Sequence, residues 1–268
     1  MNQKILAYLP NPTGVFQAVG AGIINVLAAL GRLSLFAGLV LRNAVTPPFF
    51  GKLLLRQFAD IGYYSLPVVG MTALFTGMVL ALQSYTGFSR FNAEGAVASV
   101  VILSITRELS PVLAGLMVAG RVGASIAAEI GTMRVTEQID ALKTLSVNPI
   151  KYLVVPRVIA GLVMMPALVL IGDIIGVYGG YIVSVHILGF SPGNYLHQSW
   201  DVLERIDVVS GLTKAAVFGF LVTLLGCYHG YHSERGAQGV GAATTNAVVS
   251  ASILILIFNY LLTQVFFS

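Results

Sequence analysis

Residues 158–185 read VIAGLVMMPALVLIGDIIGVYGGYIVSV, and this stretch decides the fold class. It holds one charged residue, Asp173, and it exceeds the length of about 20 apolar residues that an α-helix needs to cross a bilayer. The sequence therefore predicts an all-α integral membrane protein with five transmembrane helices. The other four predicted spans lie at roughly 60–85, 96–120, 208–229 and 247–267.

The composition excludes most soluble classes of protein. Of the 268 residues, 56% are hydrophobic and 10% are charged, whereas a soluble globular domain has about 25% charged residues. A soluble enzyme, a disordered chain and a nucleic-acid binder are all poorly compatible with these values. The excess of 15 Lys and Arg over 11 Asp and Glu indicates membrane topology rather than a DNA-binding surface. We expect no nucleic-acid partner.

A sixth apolar stretch runs from 18 to 41, but Arg32 lies near its middle. Its many Gly and Ala residues give it only modest hydrophobicity. It either spans the membrane or lies in the interface as one or two amphipathic helices, with Arg32 and Arg42 among the lipid headgroups. Hydropathy alone leaves both alternatives open.

The distribution of Lys and Arg predicts the orientation. Eleven of the 15 basic residues precede the first strong span, lie between the second and third, or lie between the fourth and fifth. Cytoplasmic segments carry this excess, so we expect the N-terminus in the cytoplasm and the C-terminus outside. Arg90, Arg205 and Lys214 are then expected on the outer side, where the loop at 186–207 predicts a short interfacial helix with Trp200 as its anchor.

The segment 121–157 is too polar to span the membrane. Apolar residues at 135, 139, 142 and 145 fall at helical spacing and predict a short amphipathic helix. Asn148 and Pro149 are expected to end it, because proline disfavours helical geometry in the preceding residue. Such a helix could rest on the membrane or dock into a partner, and the pattern does not decide between these roles.

Arg107 and Glu108 lie near the middle of the second span, one turn before Pro111. Ionisable groups at this depth are costly and usually face a cavity or a partner. The pair either fixes helix packing or faces a transport pathway. For Asp173 in the third span we expect a packing role, with its carboxyl group hydrogen-bonded at a helix crossing. Gly172, Gly176 and Gly180 form a stripe of small residues beside it, which favours close helix packing.

Motifs for catalysis are absent from the sequence. There is no GxxxxGK[ST] phosphate-binding loop, no HExxH motif and no evident catalytic constellation. We therefore expect no catalytic residue, no metal site and no cofactor bound by this chain. If ATP drives transport, another chain must bind ATP and Mg²⁺ and hydrolyse the nucleotide.

Several blocks resemble the MlaE/YrbE permease family. The most specific is AGRVGASIAAEIGTM at 119–133, which continues through VTEQIDAL at 135–142 to VNP at 147–149. RELSPV at 107–112 is similar to the family's Arg-Glu-Leu-Gly-Pro-Val block, with Ser110 in place of glycine. GAQGVGAATT at 236–245 and AVV at 247–249 are similar to the block before the last helix. The resemblance covers most of the chain from about residue 50.

The resemblance implies the membrane subunit of an ABC transporter that moves phospholipids between the inner and outer membranes of Gram-negative bacteria and supports outer-membrane lipid asymmetry. It implies an N-terminal interfacial segment over 1–57 and a five-helix permease domain over 58–268. A cytoplasmic coupling helix at about 133–147 would contact the ATPase. The implied partners are a second copy of this chain, a cytoplasmic ABC ATPase, a STAS-domain protein, a periplasmic ring of MCE-domain proteins and phospholipid. The implied location is the bacterial inner membrane.

The resemblance also implies two sets of site residues. A lipid cavity facing outwards at the dimer interface would be lined by Leu80, Gln83, Tyr85, Phe88, Phe91, Arg107 and Glu108. Coupling to the ATPase would use Glu129, Arg134, Glu137, Gln138, Asp140 and Leu142.

The main alternative is a proton-coupled secondary transporter of an apolar substrate, with Glu108 or Asp173 as its proton site. An intramembrane enzyme that acts on lipid is a further alternative. The sequence leaves the direction of transport, the lipid preference and the number of MCE subunits open.

Overall fold

The computed structural model describes residues 12–47 and 50–268. Residues 1–11, which include Lys4 and the start of the predicted segment 1–57, lie outside the described residues, as do 48–49. The described part of the chain is helical, with no β-strand. Its helices are α1 Pro12–Val45, α2 Gly51–Ile61, α3 Leu66–Phe88, α4 Ala96–Val135, α5 Gln138–Thr144, α6 Ile150–Ile187, α7 Pro192–Val202, α8 Arg205–Tyr231 and α9 Ala237–Phe267.

This architecture confirms an all-α membrane protein. Six helices in the described ranges are long and apolar enough to cross a membrane. Five of them, α3, α4, α6, α8 and α9, correspond to the five predicted spans. Helix α3 begins at Leu66 rather than at 60, because residues 60–65 form the end of α2 and the turn after it, and the other four helices cover their predicted ranges. The sixth is the Gly20–Val45 part of α1, so both alternatives for 18–41 remain open.

Helix α1 packs on the others mainly through its C-terminal part. Phe36 and Val40 are buried there, and the Phe36 ring meets the Tyr228 ring edge to face at a centroid distance of 5.5 Å. Asn148 Nδ2 donates a hydrogen bond to Asn43 Oδ1 at 3.1 Å, which ties the helix to the segment before α6. Large apolar side chains elsewhere on the helix are exposed and would meet lipid; they include Ile23, Ile24, Leu27, Leu30, Leu35 and Leu39.

Small residues set the spacing of the central helices. A Cβ atom on Gly77 of α3 would lie 1.9 Å from the carbonyl oxygen of Gly176 of α6. One on Gly219 of α8 would lie 2.2 Å from the carbonyl oxygen of Gly161 of α6. Backbones therefore touch at both crossings. The glycine stripe of α6 packs closely against α3, as its spacing predicts.

The outer connection between α6 and α8 contains the short helix that the sequence predicts. Helix α7 spans Pro192–Val202. Its Tyr195 side chain is buried, whereas its Trp200 side chain is 70% exposed. An exposed tryptophan on such a helix is typical of a membrane interface.

π-Helical turns interrupt α4 at Ile105–Leu109 and at Ala119–Gly123. Each adds a residue to one helical turn, and such turns occur frequently at functional sites. The first contains Arg107 and Glu108, and the second begins the block with the most specific family resemblance. Both irregularities of α4 therefore fall in segments that the sequence had singled out.

The backbone contact at Gly219 predicts a sharp difference between two glycine substitutions. Gly219→Ala should lower the free energy of unfolding by about 1–3 kcal/mol, because α6 and α8 must move apart. Gly120→Ala is the control, since a Cβ there meets nothing within 4 Å. The thermal midpoint of the detergent-solubilised protein measures both. Equal midpoints for the two variants would show that this crossing does not limit stability.

Candidate functional site

Arg107 and Glu108 each find a partner of opposite charge on α8. Arg107 Nε lies 2.7 Å from Asp207 Oδ1, and the Asp207 side chain is fully buried. Lys214 Nζ lies 2.7 Å from Glu108 Oε1, and the Lys214 side chain is also fully buried. Two ion pairs therefore join neighbouring residues of α4 to two turns of one facing helix.

Helix α9 completes the arrangement. Asn259 Nδ2 donates to Glu108 Oε2 at 2.8 Å, and Thr263 Oγ1 lies 2.8 Å from Glu108 Oε1. Lys214 Nζ also donates to the Arg107 carbonyl oxygen at 2.9 Å. We call Arg107, Glu108, Asp207, Lys214, Asn259 and Thr263 the charge cluster.

The backbone brings α4 and α8 close enough for these pairs. A Cβ atom on Gly211 would lie 2.3 Å from the carbonyl oxygen of Thr106, so no side chain fits between the helices. The π-helical turn at Ile105–Leu109 displaces the backbone at this point. Gly211 lies between Asp207 and Lys214, so α8 approaches α4 most closely at the centre of the charge cluster.

The charge cluster is only partly enclosed. The side chains of Arg107 and Glu108 are 33% and 36% exposed in the single chain. The Arg107 guanidinium carbon lies 4.4 Å from the centroid of the Phe267 ring, which covers part of it. The cluster can therefore both hold α4, α8 and α9 together and present polar groups at the surface of the chain.

Sequence reasoning missed four of the six members: Asp207, Lys214, Asn259 and Thr263. Lys214 was expected on the outer side, and that expectation was wrong, because its ammonium group is buried between α4, α8 and α9. Two signals could have found them. Asp207 and Lys214 are seven residues apart and share one helix face, and Asn259 and Thr263 are polar residues four apart in an apolar helix.

The residues predicted for the lipid cavity fall into two groups. Arg107 and Glu108 belong to the charge cluster. Leu80, Tyr85 and Phe88 of α3 pack on a small apolar cluster that includes Val97, Val101 and Ile105 of α4. Gln83 and Phe91 are exposed. The assignment of the seven residues to a cavity stays a prediction.

Helix α5 occupies the segment predicted as the coupling helix, but it is shorter than 133–147. It spans Gln138–Thr144, and Ser146 adopts a left-handed backbone with φ 59°. The helix therefore ends before Asn148 and Pro149, which were expected to end it. Ile139 is fully buried and anchors α5 to the bundle.

The exposed face of α5 carries an ion network. Asp140 Oδ1 accepts from Lys143 Nζ at 2.8 Å and from Arg134 Nη1 at 3.4 Å. The hydrogen bond from Lys143 lowers the pKa of the Asp140 carboxyl group, and the same bond raises the pKa of Lys143. Glu137, Gln138 and Asp140 are exposed and Leu142 is half-buried, so this face is available to a partner.

Glu129 stands apart from this network. Its Oε2 atom lies 2.8 Å from Arg157 Nη2, at the end of the bundle where α6 begins. Its predicted contact with an ATPase stays a prediction.

Asp173 is buried on α6, as its predicted packing role requires. Its Oδ1 atom has no hydrogen-bond partner in the described part of the chain. The predicted burial of Asp173 is therefore confirmed. The predicted hydrogen bonding of its carboxyl group is not seen at the Oδ1 atom.

Comparisons with known proteins agree with the resemblance. The family model described as "Permease MlaE" matches residues 54–265. A probable ABC transporter permease protein of Rickettsia prowazekii is 61% identical over 249 residues, which cover 93% of this chain and 96% of the relative. The intermembrane phospholipid transport system permease protein MlaE of Haemophilus influenzae is 35% identical over 257 residues, 93% of this chain and 96% of the relative. The chloroplastic protein TRIGALACTOSYLDIACYLGLYCEROL 1 of Arabidopsis thaliana is 35% identical over 87% of this chain and 67% of the relative.

The charge cluster predicts a rescue by a second substitution. Glu108→Leu should lower the free energy of unfolding by about 3–5 kcal/mol, because it leaves the buried Lys214 ammonium without a counter-ion. Combining Glu108→Leu with Lys214→Leu should recover most of that loss. Chemical unfolding in detergent measures the cycle. A double variant no more stable than Glu108→Leu alone would contradict the pairing.

Proposed function

The chain belongs to the MlaE permease family, and we propose that it is the permease subunit of an ABC transporter that moves phospholipids between two membranes. The observation that carries this proposal is the similarity to the Haemophilus phospholipid permease along almost the whole chain. The multi-pass helical architecture supports it, because the family region at 54–265 runs from before α3 almost to the end of α9.

A separate ATPase would supply the energy. The family resemblance assigns the segment around α5 to coupling, and the structure supports this role in two ways. Ile139 anchors the helix to the bundle core, so a displacement of α5 would be transmitted to the transmembrane helices. A cavity of about 240 Å³ beside α5 is lined by Arg134, Glu137 and Asp140 together with residues 233–235 of the α8–α9 loop.

Lipid would bind where two copies of this chain meet, on a surface that includes the charge cluster. Arg107 and Glu108 keep a third of their surface exposed in the single chain, and a second copy would enclose them. Leu80, Gln83, Tyr85, Phe88 and Phe91 of α3 and the turn that follows it would supply apolar and polar walls for the acyl chains. ATP-driven movement of α5 would open and close this dimer interface.

The distribution of basic residues supports an orientation in the bacterial inner membrane. The α5 end of the bundle would face the cytoplasm, with the N-terminus, the ATPase and a STAS-domain protein on the same side. The C-terminus and a ring of MCE-domain proteins would be periplasmic.

A proton-coupled mechanism is not favoured. Glu108 accepts hydrogen bonds from Lys214 and Asn259 and lies 2.8 Å from Thr263 Oγ1, an arrangement that holds a carboxylate rather than releasing and rebinding a proton. The family also consists of ABC transporter permeases, which take energy from ATP.

Affinity purification of the chain from its native membrane, followed by mass spectrometry of proteins and lipids, tests the proposal. Wild-type protein should retain an ABC ATPase and phospholipid. Glu137→Lys combined with Asp140→Lys should lose at least about tenfold of the ATPase, since it reverses two exposed charges at one interface, and should keep the phospholipid.

Asp201→Lys is the matched control, because it reverses an exposed charge on α7 at the opposite end of the bundle. It should retain both the ATPase and the lipid. A wild-type chain that is folded but carries no ATPase would overturn the proposed function. Full ATPase retention by the α5 double variant would overturn only the assignment of α5.

A further inference from the structure

A second polar cavity lies at the α5 end of the bundle, away from the charge cluster. It has a volume of about 520 Å³ and is bounded by α2, the last turns of α4 and the first turns of α6. Small-molecule sites have volumes of about 300–1,000 Å³, so the space is large enough for a ligand. None of the residues predicted for the lipid cavity lines it.

Three arginines line this cavity, one from each bounding helix: Arg56, Arg121 and Arg157. Arg157 is 5% exposed, and its Nη2 atom pairs with Glu129 Oε2 at 2.8 Å. Its Nε atom is buried and has no hydrogen-bond partner in the described ranges. Because this atom is itself shielded, Arg157 would act on a ligand through its positive charge and its Nη donors, of which Nη1 also donates to the Leu153 carbonyl oxygen.

The other two arginines have unused donors. Arg121 Nη1 donates to Ser65 Oγ at 2.7 Å and to the Asp60 carbonyl oxygen at 3.2 Å. Both bonds use the same nitrogen, and a guanidinium group has five N–H donors. Arg56 is 79% exposed and lies 3.9 Å from Asp60 Oδ2, a long separation for an ion pair.

The cavity has an excess of positive charge. Three guanidinium groups face two carboxylates, Asp60 and Glu129, and Glu129 is already engaged by Arg157. Arginine binds phosphate through paired N–H donors, and these charge-assisted bonds are among the strongest in proteins. A phosphate group is therefore the ligand chemistry that these donors fit.

The surroundings place the cavity at the depth of lipid headgroups. Tyr63 and Tyr64 directly follow α2, and they are 68% and 57% exposed. Exposed tyrosines beside an apolar bundle mark the membrane–water interface. Apolar side chains line the remaining wall and would meet an acyl chain; they are Leu53, Ile61, Val122, Ile126, Met133 and Leu153.

We propose that this cavity binds an anionic phospholipid of the adjacent leaflet, with its phosphate on Arg56, Arg121 and Arg157 and an acyl chain along the apolar wall. The site concerns binding by this chain alone, and it stands whether or not the chain transports lipid. It lies at the opposite end of α4 from the proposed lipid cavity, so the chain would hold lipid near both faces of the membrane.

Native mass spectrometry of the purified full chain, without an ATPase, tests the site. The probes are phosphatidylglycerol and phosphatidylcholine with identical acyl chains. Phosphatidylglycerol should bind more tightly, because it carries net negative charge. Arg56→Gln combined with Arg121→Gln should weaken phosphatidylglycerol binding by about tenfold or more, since charge-assisted hydrogen bonds are lost.

The matched control is Arg42→Gln combined with Lys52→Gln. It removes the same two charges from the same end of the bundle, but neither residue lines the cavity, and the affinity should be unchanged. Arg56→Gln alone leaves the Arg121 bonds to Ser65 and Asp60 intact and should give a smaller loss in the same direction, which guards against misfolding of the double variant.

Three results would overturn the proposal. Equal losses in the cavity variant and the control would assign binding to general surface charge. Equal affinity for the two lipids would exclude recognition of an anionic headgroup. Full displacement of phosphatidylglycerol by inorganic phosphate would identify a site for a soluble anion instead of a lipid.

Discussion

Two ion pairs within the membrane constrain the rest of this structure. Arg107 and Glu108 are neighbours on α4, yet both find partners on α8, at Asp207 and Lys214. Unpaired charges at this depth would be costly, so α4 and α8 can adopt only the registers that satisfy both pairs. The bonds from Asn259 and Thr263 extend the same constraint to α9.

Close backbone packing makes that constraint possible. Gly211 lets α8 approach the carbonyl oxygen of Thr106, and Gly161 and Gly219 meet where α6 crosses α8. In a membrane, lipid is as apolar as the helix surfaces, so close van der Waals contact and polar bonds must hold helices together. The glycines and the charge cluster thus both hold the helices together in lipid, the first by close contact and the second by polar bonds. Because Arg107 and Glu108 are partly exposed, the charge cluster also forms part of the proposed lipid surface.

Hydropathy predicted the long helices, because about 20 apolar residues in succession have few other uses. The glycine spacing of α6 likewise predicted close packing with a neighbour. The partners of Arg107 and Glu108 were not predicted, because they lie about 100 and 106 residues away and depend on the register between helices. The arginine cavity was not predicted for the same reason. Arg56, Arg121 and Arg157 belong to three helices, and only the tertiary structure brings them together around one cavity. Helix α5 is shorter than its prediction because left-handed residues lie at both of its ends, Glu137 before it and Ser146 after it, and no sequence period reveals them.

The most direct test of the transport mechanism is a transfer measurement in reconstituted membranes. Proteoliposomes containing this chain with the proposed ATPase and MCE-domain partners would carry a fluorescent phospholipid, and the movement of that lipid to acceptor vesicles would be followed over time. The family assignment and the charge cluster predict transfer that requires hydrolysable ATP and is unaffected by a pH gradient. Transfer that proceeds without ATP and follows the pH gradient would contradict the ABC permease mechanism.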